Sequence, residues 1–345
     1  MNSLISLLSL EPVRLLLYLV GICAFVGFNA AYLVLAERKI AGRMQRRPGP
    51  NEAGLGGWMQ PFADVGKLFA KQIMIPPGVD VLLYCLAPLM VMAPPLICLV
   101  AVPFGDTLVA RDLNLGLLLV FSLGSVNVMA LLFAGWASRN KYSIISAARV
   151  VSQNVAYEIP MLLVVLTILM TTGTMNLNEI VRQQAGWFWH WNVLRGVWTL
   201  ANPLMPVTFV IFFICMLAET NRAPFDMAEA ESELVAGAFT EYGGMGFGVF
   251  FMAEYTNIVV GCSLATVLFL GGWQSPVGVL SGPVWGTLWF LAKLYALIFT
   301  VMWVRWTFPR TQFYGLLNLS WKVLIPISLF TLLLSGALLT LTHLR

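Results

Sequence analysis

Residues 115–137 read LGLLLVFSLGSVNVMALLFAGWA, twenty-three positions without one charged side chain. A hydrocarbon layer of ~30 Å takes roughly 20 apolar residues to cross as a helix, so this segment is long enough to span a membrane. On either side of it, about seven further runs of this kind lie near 13–35, 82–103, 157–175, 204–221, 247–271, 284–304 and 321–342. None alternates apolar and polar residues as the roughly ten-residue strands of a membrane barrel do. The expected fold is therefore an all-α integral membrane protein of about eight transmembrane helices with long cytoplasmic loops. We expect a single membrane domain over 1–345, with those loops at about 36–81, 138–156, 222–246 and 305–320. Glu11 and Arg14 open the first run and no small-residue cleavage site follows, which reads as a retained helix.

Composition agrees. Only 10% of the 345 residues are charged and 59% are hydrophobic, against about 25% charged in a soluble domain. The loops after the first, third, fifth and seventh runs hold fourteen of the twenty Lys and Arg residues, from Arg38 to Lys322. The other side holds Arg14, Arg111, Arg182, Arg195 and Arg345. Positive charge marks the cytoplasmic side, so both termini are expected on the non-cytoplasmic side of the membrane. Trp187, Phe188, Trp189 and Trp191 then form an interfacial belt in the fourth loop. The net charge of +4 reflects topology and gives no sign of nucleic-acid binding.

The inventory of redox and metal ligands is thin. Cys23, Cys85, Cys98, Cys215 and Cys262 fall in or beside apolar runs without paired spacing for zinc or an iron–sulfur cluster. The two histidines, His190 and His343, cannot hold a haem between membrane helices. No glycine-rich phosphate loop or dinucleotide fingerprint occurs. We expect no metal, no cofactor and no redox centre on this chain.

Carboxylates are what remains. Six of the sixteen acids, Glu219, Asp226, Glu229, Glu231, Glu233 and Glu241, lie between the fifth and sixth runs, with Arg222 as the sole cation among them. A solvated acidic loop is one reading. Against it, the apolar run still holds at Glu219, and Asp226–Ala238 is rich in helix formers that would stack Asp226, Glu229 and Glu233 on one face. Like charges at that spacing repel, and sharing a proton relieves them in a partly buried site. Glu254 sits inside the sixth run, where an ionisable residue normally faces a bundle interior or a hydrated path. Glu158, before Pro160, reads either as a first-turn acid favoured by the helix dipole or as part of such a path. Lys293, mid-way along the seventh run, is the one cation in a span and a candidate partner for one of these acids. In the first loop, Ala63–Lys71 reads as a short amphipathic helix that lies on lipid or docks another protein.

Several stretches resemble one family: Ala36-Glu-Arg-Lys39, Arg47-Pro-Gly-Pro-Asn51, Gln60-Pro-Phe-Ala-Asp64, Gly135-Trp-Ala-Ser138, Tyr157-Glu158 and Ala218-Glu-Thr-Asn-Arg-Ala-Pro-Phe-Asp226. Glu229-Ala-Glu-Ser-Glu-Leu-Val-Ala-Gly237, Glu241-Tyr242, Ala253-Glu-Tyr255, Gly271-Gly-Trp273 and Trp321-Lys322 continue the match. The chain resembles the H subunit of NADH:quinone oxidoreductase, respiratory complex I, which is called subunit 1 in mitochondria.

The resemblance implies a non-redox subunit of a proton-translocating translocase, with no activity alone, at the junction of the membrane and hydrophilic arms. Quinone, such as ubiquinone, is implied as substrate of the complex. The implied partners are hydrophilic quinone-module subunits over the cytoplasmic loops, small and antiporter-like membrane subunits, and lipid. By position, Arg38, Asp64, Arg222 and Asp226 would shape the quinone chamber, and Glu158, Glu219, Glu229, Glu231, Glu233 and Glu254 the proton path. Glu52, Gln72 and Gln312-Phe-Tyr-Gly315 depart from the family pattern where the hydrophilic arm docks. They leave open the homologous subunit of a membrane-bound hydrogenase or ferredoxin-linked complex, although the full Ala218–Asp226 segment favours the quinone reductase. An internal repeat, as in a stand-alone transporter, is not found.

Overall fold

The computed structural model describes residues 11–199, 203–228, 236–278 and 282–343. Twelve α-helices carry these segments. They are α1 (Glu11–Met44), α2 (Gln60–Ala70), α3 (Val81–Ala101), α4 (Gly116–Ala137), α5 (Lys141–Thr172) and α6 (Leu177–Gln183). Then follow α7 (Asn192–Thr199), α8 (Met205–Glu219), α9 (Gly244–Phe269), α10 (Pro283–Thr307), α11 (Phe313–Leu319) and α12 (Ile325–His343). A π turn over Ser320–Leu324 joins the last two into one apolar rod. Among the described residues no sheet forms, only an isolated bridge between Trp187 and Val277.

Seven helices among the described residues are long and apolar enough to cross a membrane. The eighth expected span, 204–221, is α8, whose 15 residues cover about 22 Å and fall short of the ~30 Å hydrocarbon layer. It stops at Glu219 because the chain turns there to carry Arg222 into the protein. Helix α9 is the hub, packing on α1, α2, α3, α6, α8 and α10. Its small residues permit this. A methyl group on Gly261 would lie 2.6 Å from Met216 Cγ of α8, so only glycine allows that approach.

Three expected loops shrink. The first loses residues to α1, which runs on to Met44, and to α2, whose placement matches the amphipathic segment. The last is reduced to 308–312 between α10 and α11. Most of 138–156 is helix, because Asn140 caps α5 by accepting from the Tyr142 amide at 3.0 Å. Polar residues of this stretch form a buried stripe. Ser143 donates to the Gly237 carbonyl, Ser146 to that of Ala228, and Gln153 to those of Ala218 and Phe225. Helix α5 thus holds the 219–237 connection from beneath. Glu158 is therefore mid-helix, so the first-turn reading is wrong. Asp226–Ala228 and Ala236–Ala238 lie in turns and a 3-10 helix instead of the expected α-helix, since backbone groups there are taken up by α5 and by a bond from the Ala238 amide to the Ala228 carbonyl.

Lys293 pairs with no acid among the described residues. Its Nζ donates to the carbonyls of Leu270, Gly272 and Gln274 at 2.7, 3.0 and 2.7 Å and sits 4.0 Å from the centre of the Trp191 ring. These carbonyls follow the C-terminus of α9, where orphan acceptors and the negative end of the helix dipole favour a cation. Two of the belt tryptophans, Trp187 and Trp189, are exposed as expected, but Trp191 is turned inward onto Lys293. Lys293→Met should lower the melting temperature of the detergent-purified protein by several degrees, reflecting a loss on the order of 1–3 kcal/mol. An unchanged melting temperature would show that water replaces the ammonium without cost.

Candidate functional site

The turn after α8 sets two side chains in opposite directions. Thr220 and Arg222 amides still bond back to Met216 and Leu217 carbonyls, Asn221 takes a left-handed φ of 52°, and the Phe225 amide closes onto the Arg222 carbonyl. Gln153 of α5 clamps both sides of the turn through Ala218 and Phe225. Glu219 then faces the helix bundle and Arg222 faces α1, α9 and α10.

Arg222 is 2% exposed and sits in a closed ionic network. Its Nη1 donates to Glu37 Oε1 and Oε2 at 3.1 and 2.9 Å, and its Nε lies 2.5 Å from Glu254 Oε1. The guanidinium is 4.3 Å from the centre of the Tyr255 ring, and the Tyr255 hydroxyl donates to Glu37 Oε2 at 2.6 Å. Arg305 of α10 completes the set by pairing with Glu37. Two carboxylates thus meet two guanidiniums with no net charge. Burial alone would weaken Arg222's hold on its proton, but Glu254 and then Glu37 outweigh it and keep the group above its ordinary value.

On the other side of the turn, Glu219 lines a cavity of about 50 Å³ walled by α3, α4, α5, α8 and α9. Pro94 and Pro95 of α3, which bring no backbone N–H to it, form part of the wall. Gly124 of α4 makes room for the carboxylate, since a methyl group there would lie 2.9 Å from Glu219 Oε1. One residue along α4, Ser125 donates to Glu158 Oε1 at 2.9 Å. No cation pairs with Glu219 among the described residues. A second cavity of about 30 Å³ shares Asn127, Thr220 and Asn257 with the first and reaches Glu254, while Glu158 lines neither.

The first connection folds back on the end of α1. Arg38 pairs with Asp64 of α2 at 2.8 Å, both partly exposed, and Gln60 holds the other oxygen of Asp64 at 2.9 Å. Lys39 donates to the Gly56 carbonyl. Arg38 and Asp64 are therefore brought together, whereas Arg222 lies in the buried network and Asp226 is half-buried beyond it. Glu229, Glu231 and Glu233 lie outside the described residues. Glu52, Gln72 and Gln312 are exposed. No cluster of three or more metal-ligating side chains occurs among the described residues.

Sequence reasoning missed Glu37, Tyr255 and Arg305. Glu37 is hidden by its place just past the first apolar run, and Arg305 reads as one more loop cation. The one available signal is helical spacing, because Glu37 stays on the helical pattern that runs from Ala30 and Leu33.

A sequence profile of the family described as NADH dehydrogenase matches residues 17–336. The chain is 56% identical over 313 residues to the H subunit of the NADH-quinone oxidoreductase of Desulfotalea psychrophila, covering 91% of this chain and 93% of the relative. The corresponding subunits of Carboxydothermus hydrogenoformans and Rhodospirillum centenum are 44% and 43% identical, covering 93% and 90% of this chain and 88% and 90% of the relatives.

Removing Arg222 leaves Glu37 paired with Arg305 and takes from Glu254 its guanidinium partner. Arg222→Met should cost about 3–5 kcal/mol, and adding Glu254→Gln should recover part of it. Thermal unfolding of the purified single and double variants checks this. A single variant as stable as wild type would mean that the network carries no net stabilisation.

Proposed function

Because the chain belongs to the family of NADH-quinone oxidoreductase H subunits, a membrane component of that complex, we propose that it couples quinone reduction to proton movement. In this reading the loop ends of α1, α2 and the 220–243 connection form the membrane-side part of the quinone chamber. Arg38, Asp64, Arg222 and Asp226 shape it. Glu158, Glu219 and Glu254, with Glu229, Glu231 and Glu233 of the same connection, carry protons from it toward antiporter-like membrane subunits. Hydrophilic subunits that carry the electron-transfer centres cover the loops, and lipid covers the apolar flanks. The basic end faces the cytoplasm of a bacterial cell, and the termini face away from it.

One observation carries the reading: Glu219 and Arg222 stand three residues apart on one rigid turn, one in the cavity and one in the ion network. Quinone reduction takes two electrons and two protons, so charge appears transiently beside the chamber. In a low-dielectric interior such a charge acts far more strongly than in water. Any shift in the Glu37–Arg222–Glu254 balance is felt across the turn at Glu219. Without a cation partner among the described residues, Glu219 can take up or release a proton without breaking an ion pair, whereas Glu254 exchanges a proton against its pairing with Arg222. The chemistry of the quinone itself is supplied by electrons from the partner subunits; this chain holds, orients and moves protons. The relatives' shared description as quinone oxidoreductase subunits supports this reading over the hydrogenase alternative.

The test uses the whole complex in sealed liposomes. Glu219→Gln should abolish proton pumping while the subunit remains inserted and assembled, and normal pumping by this variant would overturn the reading. Asp64→Asn weakens the hold on Arg38 and should raise the KM for quinone about five-fold with a smaller change in kcat. Running the wild-type assay with NADH and then reduced ferredoxin identifies the electron donor, and hydrogen evolution without inhibitor-sensitive quinone reduction would move the chain to the hydrogenase class.

A further inference from the structure

The two cavities meet at a wall that no carboxylate occupies. Asn127 of α4, Thr220 and Asn257 of α9 line both, while Glu219 lines only the first and Glu254 only the second. Helix geometry places them in order. On α4, Gly124 touches Glu219, Asn127 follows one turn later, and Leu131 lies one turn beyond in the second cavity. On α9, Gly261 belongs to the first cavity, Asn257 to both, and Glu254 to the second. The two asparagines therefore stand at the level where one chamber opens into the next.

Asn127 is 7% exposed, and its Oδ1 has no hydrogen-bond partner. The Oδ1 of Asn221, which also lines the second cavity, is in the same condition. Buried amide oxygens are ordinarily paired with protein or with ordered water. Here the oxygens border cavities of about 50 and 30 Å³, on a measure where about 10–15 Å³ holds one water. An apolar wall would leave these spaces dry, but a wall with amide groups and a threonine hydroxyl offers water the two to four partners it needs.

We propose that Asn127, together with Asn257, holds the water that joins Glu219 to Glu254 and is a positioning residue for proton transfer between them. The proposal rests on the reading of these acids as a proton path and adds the link that side chains alone do not make. A proton leaves one carboxyl group for the nearest water, each water hands on one of its own protons, and the last proton bonds to the other carboxylate. The amides neither gain nor lose a proton. They accept and donate hydrogen bonds that keep the waters in line.

The experiment measures protons moved per quinone reduced by the intact complex in liposomes, with the amount of assembled complex as control. Asn127→Leu removes the amide and fills the junction with a branched apolar group, and should lower pumping at least ten-fold. Asn127→Ser leaves a hydroxyl and room for water, and should stay within two-fold of wild type. Asn257→Leu carries the same expectation as Asn127→Leu and serves if the latter fails to assemble. Pumping within two-fold of wild type in an assembled leucine variant, beside a Glu219→Gln variant that does not pump, overturns the water link and leaves the acidic path intact. Normal pumping in both kinds of variant overturns the path as well. Loss of pumping in assembled Asn127→Ser overturns water as the carrier.

Discussion

The burial of Arg222 is the constraint on which the architecture turns. A guanidinium cannot be taken out of water unless its charge is matched. Meeting that requirement fixes four elements at once. Glu37 must come from α1, Glu254 and Tyr255 from α9, Arg305 from the end of α10, and the chain after α8 must turn sharply enough to reach them. The short α8 and the hub position of α9 are both consequences. A longer eighth span would carry Arg222 past its partners, and an α9 displaced from the centre would leave Glu254 in lipid.

The division of labour among the acids follows from the same geometry. Glu37 and Glu254 serve the guanidiniums, so their charge is tied to the integrity of the bundle. Glu219 lies on the far side of the turn, in a largely apolar cavity whose lining includes no cation. Carboxylates with and without a cation partner among the described residues are thus separated by only one turn of chain.

The spans were legible because run length and charge asymmetry are one-dimensional properties. Glu219, Arg222 and Glu254 were legible because each interrupts or borders an apolar run. What was hidden depended on partners that leave no mark in the sequence. Lys293 is satisfied by backbone carbonyls, which every residue carries, so no acid announces its site. The polar face of α5 was hidden because the carbonyls it serves come from a segment some eighty residues away. Asn127 stood in an uncharged run and drew no attention, although its burial between two chambers makes it as unusual as any of the acids. The first-turn reading of Glu158 failed for a related reason, since apolar content marks where a helix enters lipid and says little about where the helix begins.

Helix α1 is continuous over 34 residues, about 51 Å, and carries Glu37 and Arg38 on adjacent positions. Adjacent residues on a helix point about 100° apart, so one rod grips the interior through Glu37 and the surface helix α2 through Arg38. A rigid rod cannot twist at one residue and stay still at the next. Any torque that a bound molecule exerts on α2 through the Arg38–Asp64 pair is delivered to Glu37 as a rotation about the same axis. The first helix is in this sense an axle, with its two bearings set side by side at the boundary between water and protein interior.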